Sequence, residues 1–586
     1  MNKFARIVFG FALCTLPAAL ACAQSPEVGY LFPSDVAIGR TTEVELIGKK
    51  VDNVERLYCS AAGFEAKPLG KSRFAVTIAA DAQPGEHDIY ALSSQGLSIP
   101  FRIVLSEKTS IVEKEPNSTP SAAEEIETSA VVYGRIDPAT DRDWYRVKLA
   151  AGARLTISCR STTLGGTDWP ALVVIDPAGR EIAHDGMTHF EPFIHVTAPA
   201  AGEYRIGVQD RAYRATPLPF YRLQVTTGPW LSAAVPITLE RGKSQKVSLY
   251  GYQLPSGKLV GDNRNPLELL DVDIVAPNQG EPASGGWTLS RAIHLDSFTY
   301  RHPGMAGQVR FELLDRPLVR NLETVRTTSK SPTPMELKLP ADVVGRFVSS
   351  RHTVDSYSFT AKAGQTIWFE STSERLNRPC DIELVIQDAQ GKVLETVGNT
   401  VIPKGEPTAV PWDSRDPSGS WKAPADGTYL LAVRDLLGVV SGLSERAYRL
   451  SVGPRLEDVR VVAVLGELAA PKAWSIQPSK TLKIPLVIIR RGGHGAKVDI
   501  SVESLPAGLS AKPLSIAGKQ ATGELVIEAA KNAAASVATI RIVARTEVER
   551  KPLVIEAQVV TPVPGTTPPL ARLCEAGVVA VIAPTK

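Results

Sequence analysis

The sequence predicts an all-β chain of tandem β-sandwiches, and three observations predict it. Apolar and polar residues alternate in short stretches such as Glu43–Ile47, Arg205–Val208, Tyr221–Val225, Lys246–Leu249 and Tyr448–Val452, the mark of half-buried strands. Turn sequences, among them Asp176-Pro-Ala-Gly179, Gln390-Gly391 and Asp426-Gly427, fall at short intervals between such stretches. The chain also repeats itself, and helix-strand alternation is missing. Of 586 residues, 44% are apolar and 22% charged, enough to build cores and unlike a disordered chain. Lys+Arg 65 against Asp+Glu 62 gives a net charge of +3, too balanced and dispersed for a nucleic-acid or anionic-lipid binder.

Taken in order, residues 1–23 read as a signal peptide. Lys3 and Arg6 precede the apolar run Ile7–Leu16, and Ala21 and Ala23 place small residues before Gln24. Broken by Pro17, the run is too short for a membrane span, so the mature chain is expected to be secreted or periplasmic without a transmembrane segment. Ala19-Leu20-Ala21-Cys22 loosely resembles a lipoprotein box, which leaves anchoring at Cys22 open. Beyond the signal, Cys59, Cys159, Cys380 and Cys574 are far apart and read as buried free thiols rather than a disulfide framework. Cys159 shares its parity with Leu155 and Ile157, so it points inward.

Two kinds of unit recur. Gly39–Gly48 (GRTTEVELIG) aligns with Gly242–Gly251 (GKSQKVSLYG), a strand bracketed by glycines at equal spacing. In a longer unit, Gly134, Asp143, Tyr145, Gly152, Gly202, Tyr204, Val208, Asp210, Tyr221 and Leu223 match, in order, Gly345, Asp355, Tyr357, Gly364, Gly427, Tyr429, Val433, Asp435, Tyr448 and Leu450. The layout is therefore A-B-A-B followed by a distinct module. Its expected units are residues 26–105, 106–228, 229–332, 333–454 and 455–564, with a tail at 565–586 that is either a last strand or an anchoring contact. The alanine-rich Ala529–Ser536 is a helix candidate, but alternation resumes at Thr539–Val543 and argues against it.

The residues of the longer unit carry a family resemblance. Glu113-Lys-Glu-Pro-Asn117, Gly134, Asp141-Arg-Asp-Trp-Tyr145, Ala150-Ala-Gly152, Asp176-Pro-Ala-Gly179 and Ala201–Val208 together resemble the bacterial pre-peptidase C-terminal (PPC) domain. Residues 333–453 resemble a second, more divergent copy. Residues 26–104, 229–332 and the last module, with its Leu505-Pro-Ala-Gly-Leu509, resemble immunoglobulin-like modules. PPC domains accompany secreted peptidases, yet no His-Glu-x-x-His run and no Gly-x-Ser-x-Gly elbow is present, and no module is left to host a catalytic set. The expectation is a non-enzymatic binding or adhesion protein whose tethered modules engage an extracellular protein or polysaccharide polymer. The alternative is an accessory chain whose partner is a secreted peptidase.

The strongest constellation is acidic. Glu113, Glu115 and Asn117 alternate on an extended segment, and Asp141 and Asp143 flank the next strand entry; clustered carboxylates with an amide oxygen suit Ca²⁺. The resemblance extends to the PPC-type collagen-binding domains of bacterial collagenases, where a matching acidic linker and strand entry hold Ca²⁺, which implies that role for these five residues. A solvated acidic linker is the competing reading. In the second copy Met335–Pro340 is taken to stand where Glu113–Asn117 stands, so calcium is expected in the first copy only. His184, His189 and His195, with Asp185 and Glu191, match no short zinc spacing and read as a polar hairpin surface; His494 reads as a turn residue. Trp144, Trp169, Tyr213, Phe220 and Tyr221 divide between core and a flat binding platform, and parity does not decide whether Trp412 or Trp421 is exposed.

Overall fold

The computed structural model describes residues 25–584 except 187–190, 261–265, 282–292, 321–333, 348–352, 377, 379, 401–413, 438–445, 468–469 and 564–569. Every extended element among them is a strand; the helical turns are short 3₁₀ turns, and Ala529–Ser536 joins two strands, Thr522–Ala529 and Ser536–Val548. No helix of the described residues is long and apolar enough to cross a membrane. The strands form five two-sheet sandwiches, each around its own apolar cluster.

The second sandwich shows how the alternation builds a core. One sheet runs Ile111–Val112, Val131–Arg135, Phe220–Thr226, Arg154–Arg160, Phe193–Thr197, and the other Glu124–Glu125, Arg142–Leu149, Gly202–Asp210, Pro170–Ile175, Glu181–Asp185. In Arg142–Leu149 the residues Tyr145, Val147 and Leu149 point into the cluster with Leu155, Ile157 and Cys159, as a period of two requires. Cys159, Cys380 and Cys574 are buried, Cys59 is half-buried, and all four are unbridged. Burial holds the Cys59 and Cys574 thiols up at about 12, so neither offers a thiolate at neutral pH.

The two kinds of unit are repeated down to backbone defects. In the first sandwich Glu27–Phe32 pairs with Thr41–Lys49 through a bulge between Val28 and Tyr30, and in the third Trp230–Val235 pairs with Ser244–Tyr252 through a bulge between Leu231 and Ala233. At each bulge a glycine lets the partner strand close in. A Cβ on Gly48 would lie 2.1 Å from the Glu27 carbonyl oxygen, and one on Gly251 would lie 2.0 Å from that of Trp230.

Two boundaries differ from the sequence reading. Val319–Arg320 pairs in parallel with Ala341–Arg346, as Ile111–Val112 pairs with Val131–Arg135, so the fourth sandwich begins ahead of residue 333. The segment read as a tail holds two strands: Leu570–Cys574 pairs with Gln558–Val563, and Gly577–Val581 with Ser536–Val548. Both belong to the fifth sandwich because its sheets are incomplete without them.

The larger difference is that the sandwiches do not hang as tethered beads. Tyr30 and Val104 of the first pack on Tyr133, Leu164 and Phe220 of the second. At the same positions of the other pair, Ala233 of the third packs with Val344, Leu376 and Ala447 of the fourth. Each seam holds a buried ion pair. Arg222 Nε lies 2.7 Å from Asp35 Oδ2, and the matching Arg449 lies 2.6 and 2.9 Å from the two oxygens of Glu312 and 3.2 Å from Asp342. The carboxylate has changed strands between the copies. Asp35 faces Val104 across a parallel ladder where, in the third sandwich, Thr238 faces Glu312. Arg491 of the fifth sandwich reaches Glu370 of the fourth at 2.9 Å. Burial alone would raise the Glu370 carboxyl, but Arg491, Arg375 and Arg449 hold it well below the ordinary range.

Leaving a buried carboxylate without its cation costs about 3–5 kcal/mol, whereas an exposed pair is worth at most about 1 kcal/mol. Arg449→Ala, which strands Glu312, is therefore expected to lower unfolding free energy by about 3–5 kcal/mol in urea melts. Arg73→Ala, which breaks only the exposed pair with Glu43, should change it by no more than about 1 kcal/mol.

Candidate metal centre

The acidic residues singled out in the sequence converge where the linker from the first sandwich meets the core of the second. Glu113 follows Ile111–Val112, an edge strand paired with Val131–Arg135, and its Oε1 accepts the Arg135 N–H at 2.6 Å. Four residues on, the Asn117 carbonyl accepts the Trp144 N–H at 3.0 Å, which seats the segment beside the strand carrying Asp143. One oxygen each of Glu113, Glu115 and Asp143 lies within 4.8 Å of the others. Glu115 also accepts the Asn117 N–H at 2.9 Å. Asp141 stands beside this trio; its Oδ1 accepts the Arg142 N–H, and its charge acts on both Glu113 and Asp143.

Two tyrosines form the floor. Asp143, Tyr145 and Tyr221 all point into the core, where a carboxylate is out of place unless bonded. Tyr221 donates to Asp143 Oδ2 at 2.6 Å and lies 3.2 Å from Glu113 Oε2, and the Tyr145 and Tyr221 hydroxyls are 2.5 Å apart. Gly134 sits opposite Tyr221 in register; a Cβ there would fall 2.3 Å from the ring and 2.4 Å from Glu113 Oε2. The fourth sandwich keeps this floor: Tyr448 donates to Asp355 at 2.5 Å and meets Tyr357 at 2.7 Å, with Gly345 opposite Tyr448.

Electrostatics make the first cluster a cation trap. Burial comes first, then Glu113, Asp141 and Glu115, in holding the Asp143 carboxyl above its ordinary range. Glu113 is likewise raised by burial and by Glu115 and Asp141, against the pull of the Arg135 N–H and the Tyr221 hydroxyl. No lysine or arginine side chain among the described residues pairs with this group. Asp143 Oδ1 and both polar atoms of the fully buried Asn117 side chain have no hydrogen-bond partner in the protein. Leaving such groups bare costs about 1–3 kcal/mol each. The donor set of several carboxylates and one amide oxygen fits a hard cation that takes six to eight oxygens.

The other expectations divide. Met335–Leu337 pairs with Val354–Ala361 in the register in which Glu124–Glu125 pairs with Arg142–Leu149. It is the counterpart of Glu124–Glu125, not of Glu113–Asn117. Counting on from Arg320, the positions of Glu113 and Glu115 fall to Asn321 and Glu323, which lie outside the described residues. His184 is exposed beside Glu181, and His189 lies outside the described residues. His195 departs from a hairpin surface: it stacks on Tyr252 of the third sandwich at 3.8 Å, and burial, aided by Arg154, lowers its pKa to about 3. Glu191 and Asp185 cap local backbone N–H groups. Buried His494 bonds Arg490 and the Glu547 carbonyl. Trp144, Phe220, Tyr221 and Trp421 are core residues, while Trp412 is outside the described residues. Trp169 is half-buried between Arg211 and Arg214, and Tyr213 is 51% exposed.

Residues 353–435, within the fourth sandwich, match the family model of the bacterial pre-peptidase C-terminal domain, so the chain carries a domain of that family. The match falls on the copy whose sequence looked the more divergent. Among solved structures, the pre-peptidase C-terminal domain of the collagenase from Bacillus anthracis is 16% identical and covers 20% of this chain and 100% of its own, with a TM-score of 0.16. SGBP-B of the Bacteroides ovatus mixed-linkage glucan utilization locus, solved with a mixed-linkage heptasaccharide, is 10% identical over 74% of this chain and 76% of its own, with a TM-score of 0.13. At these identities and scores neither likeness bears on ligand or partner. No curated protein matches the chain significantly.

A carboxyl whose folded pKa stands above its unfolded value contributes stability below the unfolded pKa and loses it as the pH rises. In chelator, thermal stability is therefore expected to fall as pH rises from about 4 through neutral, by way of Glu113 and Asp143. Added Ca²⁺ should reverse that slope, because it binds the deprotonated ligands; melts at pH 5 and pH 8, with and without Ca²⁺, read this directly. Gly134→Ala and Gly345→Ala each drive a methyl group into a buried tyrosine and should cost about 1–3 kcal/mol in the same melts.

Proposed function

We propose that the chain is an exported, non-catalytic binding protein in which the first PPC-like sandwich holds one Ca²⁺ through Glu113, Glu115, Asn117, Asp143 and the adjoining Asp141. The observation that carries the metal is the bare, buried Asn117 amide beside carboxylates that no lysine or arginine offsets. Bound there, the ion supplies charge neutralisation and ties the linker after the first sandwich to the strand entry at Asp141–Asp143. The PPC match within the fourth sandwich and the apolar run at residues 7–16 support a role outside the cytoplasm. The partner class is an extracellular polymer, protein or polysaccharide. An accessory role to a secreted peptidase is the second reading, favoured by the family of residues 353–435.

Calorimetry on the full-length chain tests the metal. Millimolar Ca²⁺ is expected to give saturable heat, and at about 100 times Kd to add about 2.7 kcal/mol of stability. Asp143→Asn and Asn117→Ala should each abolish both effects, while Mg²⁺, which demands tighter octahedral geometry, should be weaker. No heat and no melting shift with Ca²⁺ would remove the site. Retention on collagen, peptidoglycan or polysaccharide particles, lost in chelator, supports the polymer reading; hydrolysis of casein or a fluorogenic peptide by the purified chain overturns the non-catalytic one.

A further inference from the structure

The strand Gly577–Val581 is buried along its whole length, although it lies at the last turn of the fifth sandwich. A strand covered on one side alternates buried and exposed; one covered on both sides reads as a continuous apolar run. Val579 and Val581 point into the core of the fifth sandwich. The opposite face, Val578 and Ala580, packs with Ala473 against Tyr90 and Leu97 of the first sandwich, some 480 residues away by sequence number. The first sandwich is therefore the cover that this face lacks within its own module.

Around that apolar contact the polar groups pair across the same seam. Asp88, on the first sandwich and 1% exposed, takes Arg572 at 2.7 Å through Oδ1 and the Glu575 N–H at 2.9 Å through Oδ2. The Asp88 N–H in turn donates to Glu575 Oε2 at 2.8 Å. Arg572 also donates to the Pro100 carbonyl at 3.0 Å. The Tyr90 hydroxyl reaches the Ala576 carbonyl at 3.1 Å, the Leu97 N–H reaches Ser475 Oγ at 2.9 Å, and the hydroxyls of Tyr58 and Thr539 are 2.9 Å apart. Within its own sandwich Asp88 keeps only Arg102, at 3.2 Å. Separated, the two sandwiches would leave Asp88, Arg572 and four large or branched apolar faces to water at once.

We propose that the strands Leu570–Cys574 and Gly577–Val581 form a clasp that fastens the fifth sandwich onto the first. The chain then closes into one body that unfolds and presents its surfaces as a unit. The clasp is independent of the calcium reading, since none of its groups belongs to the acidic cluster.

A cross-link across the seam tests it on the full chain. An ideal Cβ on Gly96 stands 3.5 Å from Ser475 Cβ, inside the span a disulfide bridges. Gly96→Cys with Ser475→Cys is expected to form an intramolecular disulfide under mild oxidation at low protein concentration, seen as one linked peptide pair by mass spectrometry, while either single variant forms none. Because Gly96 has φ +134° and resists a side chain, Arg572→Ala is measured in parallel. It is expected to enlarge the radius of gyration in small-angle scattering and to split one calorimetric transition into two. A folded double variant whose thiols stay free, or a wild-type scattering profile of an extended chain, overturns the clasp. So does an Arg572→Ala chain with unchanged dimensions and a single transition.

Discussion

The arrangement of the whole chain depends on arginines that stand one residue beyond a buried tyrosine. Tyr221 and Tyr448 point into their own cores, so the alternation of a strand turns Arg222 and Arg449 outward, toward the neighbouring sandwich. A guanidinium sealed in such a seam requires a carboxylate opposite it, since its desolvation is otherwise uncompensated. Asp35 and Glu312 answer that requirement from different strands of equivalent sheets. What is kept between the two halves of the chain is thus the pairing and its place, while the residue that supplies the negative charge has moved across a ladder rung. This identifies the sandwich pair, rather than the single sandwich, as the repeated structural unit.

Within the PPC-like sandwiches the same separation of roles applies. The tyrosine pair, the aspartate and the facing glycine occur in both, and they satisfy a buried carboxylate from inside the fold. Only the first copy brings Glu113, Glu115 and Asn117 down onto that floor among the described residues. The floor is therefore architectural, and the cation chemistry is an addition carried by the linker. Asp143 serves both, which is why one of its oxygens is bonded by Tyr221 and the other is left bare.

Much of this was legible from residue order. Period-two alternation gave the strands, and the paired glycines at 39/48 and 242/251 gave the repeat, because the bulge each pair accommodates forbids a Cβ. The acidic residues were legible because alternate positions of an extended segment share a face. The tyrosine floor was missed although its signal was present: Asp143, Tyr145 and Tyr221 recur together as Asp355, Tyr357 and Tyr448, and an aspartate on the inward parity of a core strand has to be answered by a donor. The counterpart of the acidic linker was misplaced by one strand, since two short strands precede the glycine in each copy and composition alone does not tell them apart. The seams were invisible because they join residues such as Asp88 and Arg572, whose proximity no local period encodes. For the same reason Gly577–Val581 looked like a stray tail: its second buried face belongs to another module.

Seams on both sides of a linker also limit how the gene can drift. In a string of independent modules the connectors tolerate insertions freely. Here the stretch between Ser106 and Ile111 is anchored at one end by the Ser106 hydroxyl on Asp35 and at the other by the parallel pairing of Ile111 with Val132. One added residue would flip the parity of the strand that follows and turn Glu113 away from its aspartate. Length variation among descendants of this chain should then concentrate in hairpin tips facing away from the joints, while the connectors hold a constant count.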